Sequence, residues 1–346
     1  MKPSTSPTAP NSRAGLTLSL AAVAAAAAGL AAAAGCAPSQ HQAGPNAPLP
    51  PPPAAIDKYV EGAKAYRAGD KDQAVTALEY ATTVNPKLIT ARSLLGDLYK
   101  ERGDYTRAAD QYKAVTDLDP YTAKNFYKLG VAYHLLQKLP DAVGSYLTAI
   151  KLDPKDWESR MNVGLVYLAM GKKDQAVNNL SEATMINPGA GVAFGNLAIA
   201  LDAQGRYAEA ETAYKRALEL DPHDTASLGN LGKNLMRQNK VDQALVVLKN
   251  LAETTESASS RKLYADALVM AKKNDEAIAL YDTILKDDGK YYPALNGKGS
   301  ALINKYQQGL RLDARQKAAA VAAWKESLAL NPQQPKVQVM LKQWSR

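Results

Sequence analysis

The periodicity of this chain predicts an all-α protein, a solenoid of antiparallel helix hairpins. Three recurrences carry that expectation. Pro86, Pro120, Pro154, Pro188 and Pro222 stand 34 residues apart. Ala74, Ala108, Ala142, Ala176, Ala210 and Ala244 keep the same period, as do Gly62, Gly96, Gly130, Gly164 and Gly232, with Ala198 in the one gap. Proline fills 19 of 346 positions, so four further hits at a fixed spacing arise by chance about once in 100,000. An array of like units therefore replaces the two domains that the length alone suggests.

Residues 89–122 show what one unit is. Leu94, Leu95, Leu98 and Tyr99 form an apolar stripe at helical spacing. Gly103-Asp104 then interrupts the helix, glycine being the residue that enters the left-handed region most easily at a helix end. Ala108, Tyr112 and Val115 make a second stripe, which Asp119-Pro120 ends because a residue before proline avoids the helical region. The small Gly96 and Ala108 allow the two helices to approach closely. Such a hairpin cannot bury its apolar face alone, and stacking on its neighbours supplies the missing core.

The pattern resembles the tetratricopeptide repeat family. The glycine, the tyrosine three residues later (Tyr99, Tyr133, Tyr167), the alanine, the aromatic or leucine four residues after that (Tyr112, Tyr146, Leu180, Tyr214) and the final proline all recur. Clear repeats cover 55–88, 89–122, 123–156, 157–190, 191–224 and 225–258, the sixth with Glu256 in place of proline. A seventh, 258–291, shares residue 258 with the sixth, so the period is shortened by one, and it carries Ala277 and Tyr281. An eighth starts near Tyr292, but its alanine, Ala320, follows Gly299 by 21 residues rather than 12, which places an insertion near 304–312. About eight repeats thus occupy 55–332. The resemblance implies a right-handed superhelical solenoid. Val337, Met340, Leu341 and Trp344 give 333–346 one apolar helix face, suited to capping the last hairpin; the alternative is that Trp344 anchors a partner.

The N-terminus reads differently. Residues 1–35 run from Lys2 and Arg13 through an alanine-rich apolar stretch to small residues, the order of an export signal. Ala33-Ala34-Gly35-Cys36 resembles the lipobox of bacterial lipoproteins, with alanine where leucine is usual. Cys36, the one cysteine of the chain, is the expected lipidation site and membrane anchor; the alternative is a signal peptide with a chance cysteine. Ala37 follows it rather than aspartate, so the outer membrane, facing the periplasm, is the expected location. The segment 36–54 holds Pro38, Pro45, Pro48 and the run Pro50 to Pro53, a semi-rigid tether of about 3.1 Å per residue where it is continuous.

Chemistry for catalysis is missing from the pattern. One cysteine excludes a disulfide and a thiolate zinc cage, and His41, His134 and His223 form no local metal motif. Neither a phosphate-binding loop nor a dinucleotide fingerprint is found. The sequence therefore predicts a non-enzyme without cofactor or metal.

The resemblance implies a concave groove, lined by the first helix of each hairpin, that takes peptides or helices. The position two before the repeat glycine faces that groove in the family and holds Asn162, Asn196 and Asn230 here. Asparagine both donates and accepts, so a ladder of three suits the backbone of an extended peptide. The position after the glycine gives Val131, Leu165 and Ile199, then Lys233, and Tyr127 and His134 extend the strip toward the N-terminus. Asparagine is also common at that position in the family without a known ligand, and His134 also fits a packed or wet surface site.

Residues 225–346 hold 19 basic and 11 acidic groups, net +8, which suits either an acidic or anionic partner or a plain solvated face. The export signal argues against nucleic acid. The expected function is a lipid-anchored scaffold that binds partner proteins, similar to the tetratricopeptide lipoproteins that assemble type IV pili or secretion channels. The alternatives are an adaptor for peptidoglycan hydrolases or synthases, and a non-catalytic subunit of an envelope enzyme complex.

Overall fold

Each corner between units is written into the chain as Asn-Pro or Asp-Pro. Asn85, Asp119, Asp153, Asn187 and Asp221 leave the helix with φ between −124° and −138°. Each side-chain oxygen then accepts from the backbone N–H two residues on, at 3.0–3.2 Å. That bond closes the turn that the following proline has started. In the sixth unit, which lacks the proline, the helix instead stops at Glu256 in the left-handed region, φ 50°.

The computed structural model describes residues 53–345, and 17 helices make up that span. They pair as α1 (Pro53–Arg67) with α2 (Lys71–Val84), α3 (Ile89–Glu101) with α4 (Tyr105–Leu118), α5 (Ala123–Leu135) with α6 (Leu139–Leu152), and α7 (Trp157–Ala169) with α8 (Lys173–Ile186). The series continues with α9 (Gly191–Gln204) and α10 (Tyr207–Leu220), α11 (Thr225–Arg237) and α12 (Val241–Thr255), and α13 (Ala258–Met270) and α14 (Asn274–Asp287). It closes with α15 (Tyr292–Gln308), α16 (Ala314–Leu330) and a single helix α17 (Pro335–Trp344). The first helix starts at Pro53, inside the span read as tether. The leader 1–35, Cys36 and the tether up to residue 52 lie outside the described residues.

Within a hairpin the repeat glycine meets the large residue of the second helix. A Cβ on Gly96 would stand 2.7 Å from the Tyr112 ring, and one on Gly232 would stand 2.3 Å from Leu248. At these two positions a Cβ would displace the facing side chain, so glycine permits the close approach, whereas the fifth unit accommodates Ala198 opposite Tyr214. The insertion in the eighth unit does not form one long loop. It lengthens α15 and α16 to 17 residues each, against 13 and 14 in α3 and α4, and leaves a short turn at 309–313.

The buried apolar residues fall into clusters along the stack. One runs from Ala65 to Ala132, a larger one from Ala142 to Ala267, and smaller ones from Ala265 to Ala301 and Leu302 to Val337. The last is closed by α17, whose Val337 is buried while Met340, Leu341 and Trp344 pack partly against it. From α5 onward the first helices (α5, α7, α9, α11, α13, α15) touch their counterparts directly, and no second helices meet to that extent. The first helices therefore line the inner side of the stack.

Candidate functional site

The inner strip lies where α5, α7, α9 and α11 stand side by side. Positions 34 residues apart fall on the same turn of neighbouring helices, so Val131, Leu165, Ile199 and Lys233 form one row and Asn162, Asn196 and Asn230 a second, adjacent row. Val131 and Leu165 are half-buried, Ile199 is 36% exposed, and Lys233 is open to solvent. Packed helices stand about 8–10 Å apart. An extended peptide rises about 3.3 Å per residue, so three of its residues would span one unit.

The three asparagines are half-buried but differ in their partners. The Asn162 amide donates to the carbonyl of Glu158 at 2.9 Å and lies within hydrogen-bonding reach of the Tyr127 hydroxyl. Asn196 and Asn230 make no side-chain hydrogen bond among the described residues, leaving an acceptor and two donors each for water or a ligand. Tyr127 packs its ring against Tyr146 at 6.1 Å between centroids, and burial raises its hydroxyl above the ordinary value. His134, one turn beyond Val131, is half-buried, and burial lowers its imidazole, which favours the neutral form.

Two polar clusters that the sequence reading passed over frame the strip. At one end the Lys128 ammonium, on the register of the asparagines, donates to Asp97 at 2.7 Å and Ser93 at 2.9 Å. Asp97 occupies the register of Val131 one unit earlier, so the 34-residue period already held the signal. At the other end the fully buried Asn234 donates to Asp202 at 2.7 Å and to the Tyr207 carbonyl at 3.0 Å. Asp202 in turn faces Arg237 at 3.6 Å and accepts from Tyr214 at 3.2 Å. These polar ties join the fifth unit to the sixth.

A separate concavity of about 720 Å³ opens between α8 and α10, over the opposite face of α9 at Phe194, Leu197 and Leu201. Among the described residues no three His, Cys, Asp or Glu side chains converge to hold a metal ion, and no helix is long and apolar enough to cross a membrane.

Residues 19–290, most of the chain, match the family described as the cilia and flagella-associated protein 70 C-terminal domain, a domain of tetratricopeptide repeats. The chain belongs to the tetratricopeptide repeat family. Superkiller complex protein 3 of Homo sapiens is 31% identical over 77 residues, which is 22% of this tetratricopeptide protein and 5% of the human one. PilF of Pseudomonas aeruginosa is 19% identical, covers 60% of this chain and 94% of its own, and superposes with a TM-score of 0.51. PilW, a type IV pilus biogenesis factor, is 17% identical, with 58% and 94% covered and a TM-score of 0.52. At these identities the two structures share the tetratricopeptide fold. Members of the family generally serve as scaffolds for other proteins rather than as catalysts, and this chain is a scaffold for protein interactions in that sense.

Proposed function

We propose that this chain is an exported, lipid-anchored scaffold whose inner strip holds an extended segment of a partner protein during assembly of an envelope or surface machine such as a pilus. The observation that carries the groove is the pair of unpartnered amides, Asn196 and Asn230, beside the partly exposed Ile199. Half-buried amides without a protein partner cost little in water and gain when a peptide backbone covers them. The anchor rests on the leader and Cys36, and the link to pilus assembly rests on the likeness in fold to PilW.

A photo-crosslinking side chain at Ile199 in intact cells should trap a partner, and one at Met185, exposed on α8, should not. Changing Asn162, Asn196 and Asn230 together to Ala should alter stability by no more than about 0.5 kcal/mol per site. Crosslinking at Ile199 should fall with an affinity loss of roughly ten- to a thousand-fold, three net hydrogen bonds at about 0.5–1.5 kcal/mol each. Unchanged adducts with a clearly lowered melting temperature would remove the groove. Intact-mass analysis tests the anchor: no lipid and no new N-terminus at residue 36 would remove it.

A further inference from the structure

The net charge of the molecule resides at one end. Residues 289–346 contain ten basic and two acidic side chains, net +8, while residues 1–288 hold 32 of each. The inserted turn of the eighth hairpin lies in this segment and is shaped unlike the other turns. Leu310 and Arg311 both take left-handed φ, 56° and 62°. Leucine and arginine enter that region only at a cost in strain. The turn is nevertheless closed by backbone bonds, with the N–H of Arg311 donating to Tyr306 at 2.9 Å and that of Leu312 donating to Gly309 at 3.1 Å. The result is an ordered tip that holds Leu310 80% exposed and Leu312 82% exposed, the two leucines flanking Arg311.

The surroundings of the tip have a consistent chemistry. Arg311 and Lys342 have no carboxylate within 4 Å among the described residues, and Arg315, 94% exposed, meets only the Asp313 of the same turn. Trp344, at the end of α17, stands edge-on to Tyr306 at 6.3 Å, which places a half-buried indole beside the end of α15 that carries the tip. Two protruding aliphatic side chains, a ring pair with polar tips and solvated cations are the components that sit at the boundary between headgroups and acyl chains. The two leucines protrude from the turn, and a fluid anionic surface needs no matching pocket to receive them.

We infer that the inserted turn at 309–313 is a membrane-contact tip that rests on anionic lipid, with Leu310 and Leu312 entering the headgroup region and Arg311 and Arg315 facing lipid phosphates. This inference stands on residues 304–345 and is independent of Cys36 and of the inner strip.

The test uses the full chain carrying Cys36→Ala, with Leu312→Cys labelled by an environment-sensitive nitrobenzoxadiazole. Met185→Cys, also highly exposed, serves as the reference position. Vesicles of phosphatidylcholine and phosphatidylglycerol in equal parts should shift the emission at position 312 to the blue and leave position 185 unchanged. Raised salt should reverse the shift, because exposed charges are screened beyond about 8 Å at physiological ionic strength. Arg311→Gln and Arg315→Gln should each weaken vesicle binding by about fivefold. An unshifted probe at 312 would overturn the inference and leave the tip to an acidic protein partner. An equal shift on pure phosphatidylcholine, unaffected by the arginine changes, would overturn it as well. Neither failure touches crosslinking at Ile199, so the groove and the tip are judged separately.

Discussion

Four tyrosines occupy equivalent places in their hairpins, and one lacks what the others have. Tyr112 donates to Asp97 at 2.6 Å, Tyr281 to Asp266 at 2.7 Å and Tyr214 to Asp202 at 3.2 Å. Tyr146 is fully buried and its hydroxyl has no partner, because Val131 stands where Asp97 and Asp266 stand in their units. An orphaned buried hydroxyl is a cost, so Tyr146→Phe should leave the melting temperature equal or higher. Tyr281→Phe should lower stability by about 1 kcal/mol, and thermal unfolding of the two variants side by side reads the contrast. Glu211 is the opposite case, a carboxylate whose side chain is 9% exposed. Burial works to raise it, but donors from Lys215, Lys240 and Gln238 prevail and hold it down to about 2. Its contribution is present above the ordinary carboxylate range and fades as pH falls from about 4.5 toward 2. Glu211→Gln should cost about 1.5–3 kcal/mol at neutral pH and flatten the acid limb of a melting-temperature profile through that window.

The elements differ mainly at their ends. Gly69, Gly103, Gly171 and Gly205 carry the left-handed turn inside four hairpins, at φ between 75° and 85°. In three others the same place is held by Gln137, Asn239 and Lys272, at φ 59° to 62°. A side chain other than glycine costs roughly 1 kcal/mol there, so Gln137→Gly should raise stability by up to about that amount in denaturant unfolding. The hairpins themselves were legible in the sequence, because proline, glycine and alanine at a fixed period each have one steric meaning. The inner strip was legible as a row of registers. Its limits were not, because Lys128, Asp97 and Asn234 read as ordinary polar residues until a neighbouring helix supplies their partners. Nor does a count of nine extra residues say whether they form a loop or lengthen α15 and α16. The alanine content of α16 supports the longer helix that is found there.

Across the whole molecule the core is a series of clusters rather than one body. Stability in such an array is roughly a sum of unit and neighbour terms, so an end unit has one fewer interface to lose. The C-terminal cluster is the smaller and depends on α17 for its outer wall. Deleting 333–346 should expose Leu302, Ile303 and Trp324, unfold the eighth hairpin first and promote aggregation, while leaving the helices from α1 to α12 folded. Hydrogen exchange resolved along the chain measures this, and uniform protection in the truncated protein would mean that α17 is not a cap.

The serial clusters also set how the molecule responds to tension. A load carried between the two ends passes through each apolar cluster in turn, and the weakest yields without taking the next with it. Each hairpin that opens frees about 110 Å of chain, at some 3.3 Å per residue. If the smaller C-terminal cluster opens first, the stack lengthens by that step before the load reaches the central cluster from Ala142 to Ala267 and the inner strip built on it. A partner held there would feel a shock absorber between itself and whatever the ends are fastened to.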